Sequence, residues 1–236
     1  MTLNRFSTGF PASQVRFAQN FPDPTLWYYA TGPVEHIVLP PAAHDPAGAR
    51  KTIAQLQAAG VQRVILPVQP APNWDDQQIA GTALAEAYTL VYERQVGVWP
   101  VQIYTQRTAP LAPLKFEFRN NVTLTGALLQ PPILVPGQLL VVYLQWQGVA
   151  QKLTGTEKVF VQLLNASSQL VAQDDRPLDV HRALATYGIL LPERLPAGAY
   201  QLIAGLYDPA QAGAPRVHTV EGADFVILRQ LKFNDK

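Results

Sequence analysis

Cysteine is absent from the 236 residues, and this absence removes one kind of covalent cross-link and one kind of metal ligand. Without thiols the chain has no disulfide framework and no thiolate site for zinc. The absence fits a cytoplasmic protein and a bacterial exterior equally well, so it does not choose a compartment. The four histidines show no H-x-H or H-E-x-x-H spacing. The sequence therefore predicts no metal site.

Charged side chains are scarce as well. They make up 15% of the chain, against about a quarter in an average globular protein. The formal net charge is +1, and Lys and Arg are scattered, so nucleic acid is not an expected partner. The 21 prolines are nearly twice the usual proportion. Low charge with abundant proline is typical of a loop-rich β protein that works outside the cytoplasm.

Long apolar runs and catalytic signatures are also missing. No run approaches the roughly 18 apolar residues of a membrane span, and the N-terminal segment lacks the apolar core of a signal peptide. Four serines without a G-x-S-x-G motif argue against a serine hydrolase. There is no G-x-G-x-x-G and no phosphate-binding lysine loop. The sequence therefore predicts a soluble piece with no catalytic residue and no cofactor.

The second half of the chain consists of short apolar segments separated by turn residues. Residues 122–164 alone hold V-T-L-T-G-A-L-L-Q, Q-L-L-V-V-Y-L-Q-W and E-K-V-F-V-Q-L-L-N. This pattern predicts an antiparallel β-sandwich over residues 114–236, either Ig-like or jelly-roll-like. Strands are predicted at 114–118, 122–129, 139–146, 158–164, 170–173, 187–191, 200–207 and 225–231, with a short edge strand at 216–218.

The first half has the alternating pattern of a small α/β domain over residues 26–106. Asp45-Pro46 marks a helix start, with Asp as the cap and Pro in the first turn, and Gly60 marks the helix end. A second helix is predicted from Trp74 to Ala87. Strands are predicted at 26–30, 36–39, 61–68, 90–94 and 98–104, and the spacing of 36–39, helix and 61–68 predicts a right-handed parallel crossover. The expected order is βαβαββ.

Two stretches lie outside these domains. Residues 1–25 are predicted to be an irregular lead-in with a short helix around 13–20, packed on the first domain through its phenylalanines. Residues 105–113, T-Q-R-T-A-P-L-A-P, are polar and proline-bearing, which is typical of a linker. The expected fold class is therefore α+β with two domains.

Four segments of the second half carry a family resemblance. They are V-P-G-Q-L-L-V-V-Y-L-Q-W, V-F-V-Q-L-L-N, L-V-A-Q-D-D-R-P-L and L-P-A-G-A-Y-Q-L-I-A-G-L-Y-D. Together they resemble the β-sandwich at the C-terminal end of bacterial polytopic membrane glycosyltransferases, in the protein-mannosyltransferase and aminoarabinose-transferase families. The resemblance covers roughly residues 122–210, strand by strand. The first domain, with H-I-V-L-P-P-A-A-H-D and R-V-I-L-P-V-Q-P, is similar to the small α/β segment sometimes found before that sandwich.

The resemblance implies an accessory, extracytoplasmic region attached to the cell membrane through upstream helices. The parent enzyme would use a polyprenyl-phosphate sugar donor. In these families the catalytic acidic residue and the lipid-phosphate contacts lie beside the membrane helices, so no family catalytic residue maps onto this chain. The implied partners are the membrane-embedded part of the parent protein and a glycan or protein acceptor.

Eight side chains are candidates for ligand contact: His44, Asp45, Trp74, Asp75, Asp76, Trp146, Asp174 and Asp175. The His44-Asp45 pair follows a strand of the first domain, where α/β sheets often bind ligands, and could supply a polar contact or a metal ligand. A helix cap at Asp45 with an exposed His44 is favoured over that role. The Trp74-Asp75-Asp76 run combines an aromatic ring with two carboxylates. It can stack on and hydrogen-bond a sugar, or it can place an aspartate cap on the second helix.

The remaining candidates belong to the second half. Asp174-Asp175-Arg176 stands before Pro177 and fits a calcium or sugar contact on a loop, or an Asp–Arg pair that holds a turn. Trp146 ends a strand, and packing is favoured for it over a role as a sugar platform.

Three functional hypotheses follow. The first is the accessory region of a membrane glycosyltransferase. The second is an independent carbohydrate- or protein-binding module, motivated by the sandwich and by Trp74 and Trp146. The third is a free-standing enzyme that uses His44, Asp45, Asp75 and Asp76.

Overall fold

The structure is a computed structural model that describes residues 3–24, 28, 30–148, 156–179 and 182–234. The chain divides into two compact units, Met1–Thr108 (unit 1) and Ala109–Lys236 (unit 2). Strands predominate, most of them antiparallel, and unit 1 also carries two α-helices. The fold is therefore of the β-rich α+β class. In the described part of the chain, no helix has the length and apolar character needed to cross a membrane.

Unit 1 is built on one five-stranded sheet with the order β2-β1-β3-β5-β4. Its strands are β1 (Val15–Gln19), β2 (Glu35–Val38), β3 (Arg63–Pro67), β4 (Thr89–Val96) and β5 (Trp99–Thr105). Strand β1 lies between β2 and β3 and is parallel to both, whereas β5 is antiparallel to β3 and β4. The carboxyl ends of β1, β2 and β3 therefore meet at one edge of the sheet.

Two helices pack on this sheet, α1 (Pro46–Ala58) and α2 (Ile79–Ala87). The predicted start of α1 is confirmed, because the Asp45 carboxylate accepts a hydrogen bond of 2.8 Å from the Gly48 amide and Pro46 is the first helical residue. Helix α2 begins at Ile79, five residues after the predicted start at Trp74. Residues 71–78 form turns instead, with the amides of Trp74 and Asp75 both bonded to the Ala71 carbonyl.

The prediction for residues 1–25 is wrong. Instead of an irregular segment with a helix at 13–20, the chain forms two short 3₁₀ helices, Leu3–Phe6 and Ala12–Gln14, followed by strand β1. Four of the five β1 residues are buried, because β1 is flanked by β2 and β3. Most of the predicted strand at 26–30 lies outside the described residues. Unit 1 therefore has the order ββαβαββ.

The two faces of this sheet are covered differently. Side chains of α1 and α2 form one hydrophobic cluster with sheet residues that include Ala18, Val64 and Leu66. On the opposite face, the Arg63 guanidinium donates a hydrogen bond of 2.8 Å to the Phe6 carbonyl and lies 4.3 Å from the centre of the Phe10 ring. The phenylalanines of the N-terminal segment therefore pack on unit 1, as predicted.

Unit 2 contains two antiparallel sheets. One has the order β11-β8-β7-β6, and the other has the order β10-β9-β12-β13, with β14 also paired to β12. All nine predicted strands are present, with shifted ends. They are β6 (Ala112–Glu117), β7 (Thr123–Gln130), β8 (Leu139–Gln147), β9 (Lys158–Asn165), β10 (Leu170–Pro177), β11 (Leu184–Leu190), β12 (Gly198–Tyr207), β13 (Arg216–Val217) and β14 (Val226–Phe233).

One hydrophobic cluster draws side chains from both sheets of unit 2. The side chains of β9 alternate between two faces, and Val159, Val161 and Leu163 enter this shared cluster. Phe160 and Leu164 point the other way and belong to a smaller cluster with Ile203 on the outer face. Burial on both faces explains why five of the eight residues of β9 are apolar.

Candidate functional site

The structure brings five of the eight candidate side chains together in unit 1. His44, Asp45, Trp74, Asp75 and Asp76 lie on the connections that follow β2 and β3. These connections contact each other directly, because the His44 amide donates a hydrogen bond of 2.9 Å to the Trp74 carbonyl. We call these five residues, together with Phe21, Asn20 and Gln69, the carboxyl edge.

Asn20 and Gln69 hold this edge together, and sequence analysis missed both. Asn20 directly follows β1, and Gln69 lies two residues after β3. The Asn20 side-chain amide donates to the Gln69 carbonyl at 2.8 Å, and the Gln69 amide donates to Asn20 Oδ1 at 2.9 Å. The crevice between the carboxyl ends of two neighbouring strands, where open α/β sheets bind ligands, is therefore bridged by a buried reciprocal pair. Gln69 directly follows the predicted strand at 61–68, and that position is a signal that a sequence search could have used, whereas Asn20 follows a strand that the sequence did not predict.

His44 and Asp76 form the most accessible polar pair of the edge. His44 Nδ1 lies 2.9 Å from Asp76 Oδ1, and about half of each side chain remains exposed. His44 has a φ of 53°, in the left-handed region. The hydrogen bond from the His44 amide to the Trp74 carbonyl holds this strained backbone. The pair joins the loop after β2 to the loop after β3 and presents an imidazole and a carboxylate to solvent.

Trp74 and Phe21 provide the aromatic surface of the edge. The indole Nε1 donates a hydrogen bond of 3.0 Å to the Pro40 carbonyl, which fixes the orientation of the half-buried ring. Phe21, 38% exposed, meets the indole edge-on, with ring centres 6.2 Å apart. Rings in this arrangement can pack against an apolar face of a ligand while the neighbouring polar pair hydrogen-bonds it.

The carboxylates of Asp45 and Asp75 accept hydrogen bonds from backbone amides at the starts of the two helices. Asp45 caps α1, and Asp75 accepts a hydrogen bond of 3.2 Å from the Ala80 amide in the first turn of α2. Burial raises the pKa of the Asp75 carboxyl group, and hydrogen bonds from Ala80, Asn20 and Ile79 partly oppose that shift. Asp45 is the N-cap residue of α1. Asp75 lies three residues before Gln78, the N-cap residue of α2, and still satisfies an amide of its first turn.

The carboxyl edge presents groups that can hydrogen-bond and rings that can stack. The exposed His44–Asp76 pair has no nucleophilic hydroxyl or thiol among its hydrogen-bond partners in the structure. Across the described residues, no group of three or more His, Asp or Glu side chains is placed to hold a metal ion.

The three candidates in unit 2 do not form a common site. Trp146 is fully buried in the core of unit 2, so packing is confirmed and the exposure assumed for a sugar platform is wrong. Asp174 and Asp175 lie within β10 and not on a loop, because the strand extends to Pro177. Adjacent residues in a strand point to opposite faces, so the two carboxylates have different partners.

Asp174 holds structure together, as the Asp–Arg interpretation expected. Its Oδ2 accepts a hydrogen bond of 2.7 Å from the Gly188 amide of β11, and it forms an ion pair of 2.8 Å with Arg176. Asp175 faces the outer side, where Tyr207 donates to it at 3.4 Å. Burial raises the pKa of the Asp175 carboxyl group, opposed mainly by that hydrogen bond.

Comparison with known proteins adds little to this geometry. No family model matches the sequence, and no curated protein matches it. Among solved structures the chain is similar to a putative β-galactosidase from Bacteroides fragilis, with 12% identity and a TM-score of 0.28 over 58% of this chain and 20% of that chain. It is also similar to an endonuclease/exonuclease/phosphatase from Beutenbergia cavernae DSM 12333, with 16% identity and a TM-score of 0.27 over 62% of this chain and 35% of that chain. At these TM-scores neither likeness supports a functional argument.

Proposed function

We propose that this chain is a non-catalytic accessory region of a bacterial membrane-bound glycosyltransferase, located outside the cytoplasm. Its role is to dock on the membrane-embedded part of the parent protein or to help position a glycan or protein acceptor. The parent would belong with the protein-mannosyltransferase and aminoarabinose-transferase families. The observation that carries the proposal is the strand-by-strand sequence resemblance over residues 122–210.

The positions of the strands support this proposal. The segments that carry the resemblance coincide with β8, β9, β10 and β12. Asp45, Asp75 and Asp174 each accept a hydrogen bond from a backbone amide.

We also propose the finer architecture of unit 2, an antiparallel β-sandwich of Ig-like or jelly-roll-like type. The hydrophobic cluster shared by the two sheets supports it, because sandwiches bury the inner faces of both sheets in one core.

Fractionation of the source cells tests the accessory role. An antibody raised against this chain should detect a band much larger than 25.9 kDa, confined to the membrane pellet. Alkaline carbonate washing should leave that band in the pellet, as for a protein with membrane-spanning helices. A band of about 25.9 kDa in the supernatant would disprove the proposal.

An independent carbohydrate- or protein-binding module is the second candidate. The Trp74–Phe21 pair beside the exposed His44–Asp76 pair favours it. Titration with oligosaccharides drawn from a glycan array should then give saturable binding that Phe21→Ala weakens about tenfold, since one stacking ring is lost. Val98→Ala, which removes an exposed apolar side chain at another site of unit 1, should leave binding unchanged. Equal weakening by both substitutions would rule out a site at the carboxyl edge.

A further inference from the structure

A second concave site lies in unit 1, between α2 and the sheet. It is a cleft of about 350 Å³, within the size range of small-molecule sites. Its floor is formed by β3, β4 and β5, and its wall is formed by Gln78, Gly81, Thr82 and Ala85 along α2. We call it the α2 cleft. It opens because the helices cover the face over β1 and β3 more fully than the face over β4, the edge strand.

A row of paired residues runs across the floor of this cleft. Leu66 of β3 pairs with Gln102 of β5, and Gln102 pairs with Glu93 of β4. Side chains at paired positions point to the same face of a sheet, so all three face the cleft. Their contrast in polarity gives the floor an apolar side at β3 and an acidic side at β4.

A β-bulge turns Glu93 towards the cleft. The pairing between β4 and β5 shifts between Leu90 and Tyr92, so that Leu90 faces Tyr104 while Tyr92 faces Ile103. Without this shift, regular alternation would place Tyr92 on the helix side and Glu93 on the opposite side. Tyr92 instead packs against Phe6 on the far face, with ring centres 5.7 Å apart. Bulges that redirect a side chain in this way are common beside functional sites.

Gly81 allows α2 to lie close to the polar side chains of the floor. It lies within α2, where glycine costs roughly 0.5–1 kcal/mol relative to alanine. A Cβ atom at this position would lie 3.3 Å from the Tyr104 hydroxyl and 3.6 Å from Gln102 Oε1. A larger side chain at residue 81 would therefore crowd Tyr104 and Gln102 and narrow the cleft.

Hydrogen bonds fix the polar side chains of the floor. The Tyr104 hydroxyl donates to Gln102 Oε1 at 3.0 Å, and Gln102 Nε2 donates to Glu93 Oε2 at 3.4 Å. Burial, with a smaller contribution from the charge of Glu93, raises the pKa of Tyr104 to about 12. The phenol therefore stays protonated at neutral pH and can donate. The hydrogen bonds run from the Tyr104 hydroxyl to Gln102 and from Gln102 to the Glu93 carboxylate.

The charges of the lining have one sign. None of the eleven residues that line the cleft, all within the described chain, is Lys, Arg or His, whereas Asp75 and Glu93 carry carboxylates. Asp75 is already engaged by the first turn of α2. Glu93 remains exposed and is held by a single side-chain hydrogen bond. An anionic ligand would be repelled, and a cation with an apolar body would meet complementary groups on both sides.

We propose that the α2 cleft binds a small organic cation, with an aliphatic ammonium group on Glu93 and its hydrocarbon body against Leu66, Val68 and Pro100. An ammonium donates three hydrogen bonds, which Glu93, the Gln102 amide oxygen and the hydroxyl of Thr82 are placed to accept. The proposal rests on the cleft alone and is independent of the accessory role.

Titration of the full chain followed by two-dimensional amide NMR tests this site. With 1,4-diaminobutane as probe we expect saturable shifts that concentrate at the amides of Gly81, Thr82 and Gln102. The neutral analogue 1,4-butanediol has the same carbon chain and should bind at least tenfold more weakly. Equal affinity for diol and diamine, or shifts that spread over exposed carboxylates without saturation, would overturn the proposal.

Matched variants locate the ammonium group. Glu93→Gln keeps the shape of the side chain and should weaken diamine binding at least tenfold. Glu221→Gln removes another exposed carboxylate, from unit 2, and should leave binding unchanged, so the pair controls for net charge. Gly81→Leu should abolish binding by filling the cleft. Wild-type affinity in Glu93→Gln would show that the carboxylate does not hold the ligand and would reject the site.

Discussion

At the scale of single residues, Asp75 couples protonation to folding. Burial raises the pKa of its carboxyl group above the usual 3.8. Between pH 3.8 and the higher pKa of the folded state, the native state therefore binds more protons than the unfolded state. The contribution of Asp75 to the free energy of unfolding falls as pH rises through this interval. We expect Asp75→Asn to remove this dependence, so that the difference in unfolding free energy between wild type and variant declines as pH rises from 3.8 towards neutrality.

Urea unfolding at a series of pH values measures this difference. Asn retains an amide oxygen that can accept the bond from the Ala80 amide, so Asp75→Asn should keep most of the capping interaction. Asp75→Ala loses it and should be about 1 kcal/mol less stable than Asp75→Asn at every pH. A wild-type-minus-Asn difference that is constant with pH would contradict the buried-carboxylate argument.

Arg63 is a second residue whose role depends on burial. It is fully buried, donates to the Phe6 carbonyl and stacks on Phe10. Arg63→Ala should lower the unfolding free energy of unit 1 by about 3 kcal/mol, because it removes a donor, a cation–π contact and buried volume. Arg94→Ala in exposed β4 should cost less than about 0.5 kcal/mol in the same urea titration. Similar losses for the two variants would mean that the N-terminal segment does not depend on Arg63.

Single residues also show what sequence reasoning could reach. Asp45-Pro46 was found because a helix cap is a local signal that depends on neighbours within four residues. Asn20 and Gln69 were not predicted because their hydrogen bond joins positions 49 residues apart. Glu93 escaped because a bulge sets its direction, and regular alternation would place it on the other face. Local chemistry is visible in the sequence, whereas register is not.

At the scale of elements, β10 and β11 join the two sheets of unit 2 through Asp174. Its carboxylate accepts from the Gly188 amide at 2.7 Å and pairs with Arg176. Asp174→Ala should lower the unfolding free energy of unit 2 by about 2 kcal/mol, because it leaves a backbone amide and a guanidinium without this acceptor. Asp174→Asn should cost less, since its amide oxygen can still accept from Gly188.

Asp179→Ala is the control for this link. Asp179 forms an exposed ion pair with Arg182 at 3.5 Å, and such pairs contribute at most about 1 kcal/mol. Chemical denaturation monitored by far-ultraviolet circular dichroism compares the three variants. If Asp174→Ala were no more destabilising than Asp179→Ala, the carboxylate would not be a significant link between the sheets.

The strands of unit 2 were predictable and strand β1 was not, for a physical reason. Segments such as 139–147 are long, β-branched and bounded by Pro/Gly turns, so their pattern alone indicates strands. Strand β1 is the five-residue segment V-R-F-A-Q, which has weak intrinsic preference. It becomes an interior strand because β2 and β3 pair with it from both sides. Tertiary contacts decide whether such a short segment forms a strand. The proline-rich sequence around β1 does not indicate one.

At the scale of the whole molecule, each unit has a hydrophobic core of its own. The main cluster of unit 1 takes its buried residues from Ala18 to Tyr104, and the main cluster of unit 2 takes its buried residues from Phe118 to Phe233. Residues that share one hydrophobic core unfold together, and residues that belong to separate cores can unfold independently. The chain should therefore unfold as two cooperative units, each two-state on its own.

Two matched substitutions test this expectation. Leu84 in unit 1 and Leu202 in unit 2 are both fully buried, and Leu→Ala at such sites costs about 2–5 kcal/mol. Leu84→Ala should shift only the unfolding transition reported by Trp74 and Trp99, and Leu202→Ala should shift only the transition reported by Trp146, when each indole is followed by 19F NMR after fluorotryptophan labelling. Because the substitutions are identical in chemistry and burial, any difference in which signals move reports the boundary between the cores. A single transition that moves at all indoles in both variants would show that the two units fold as one.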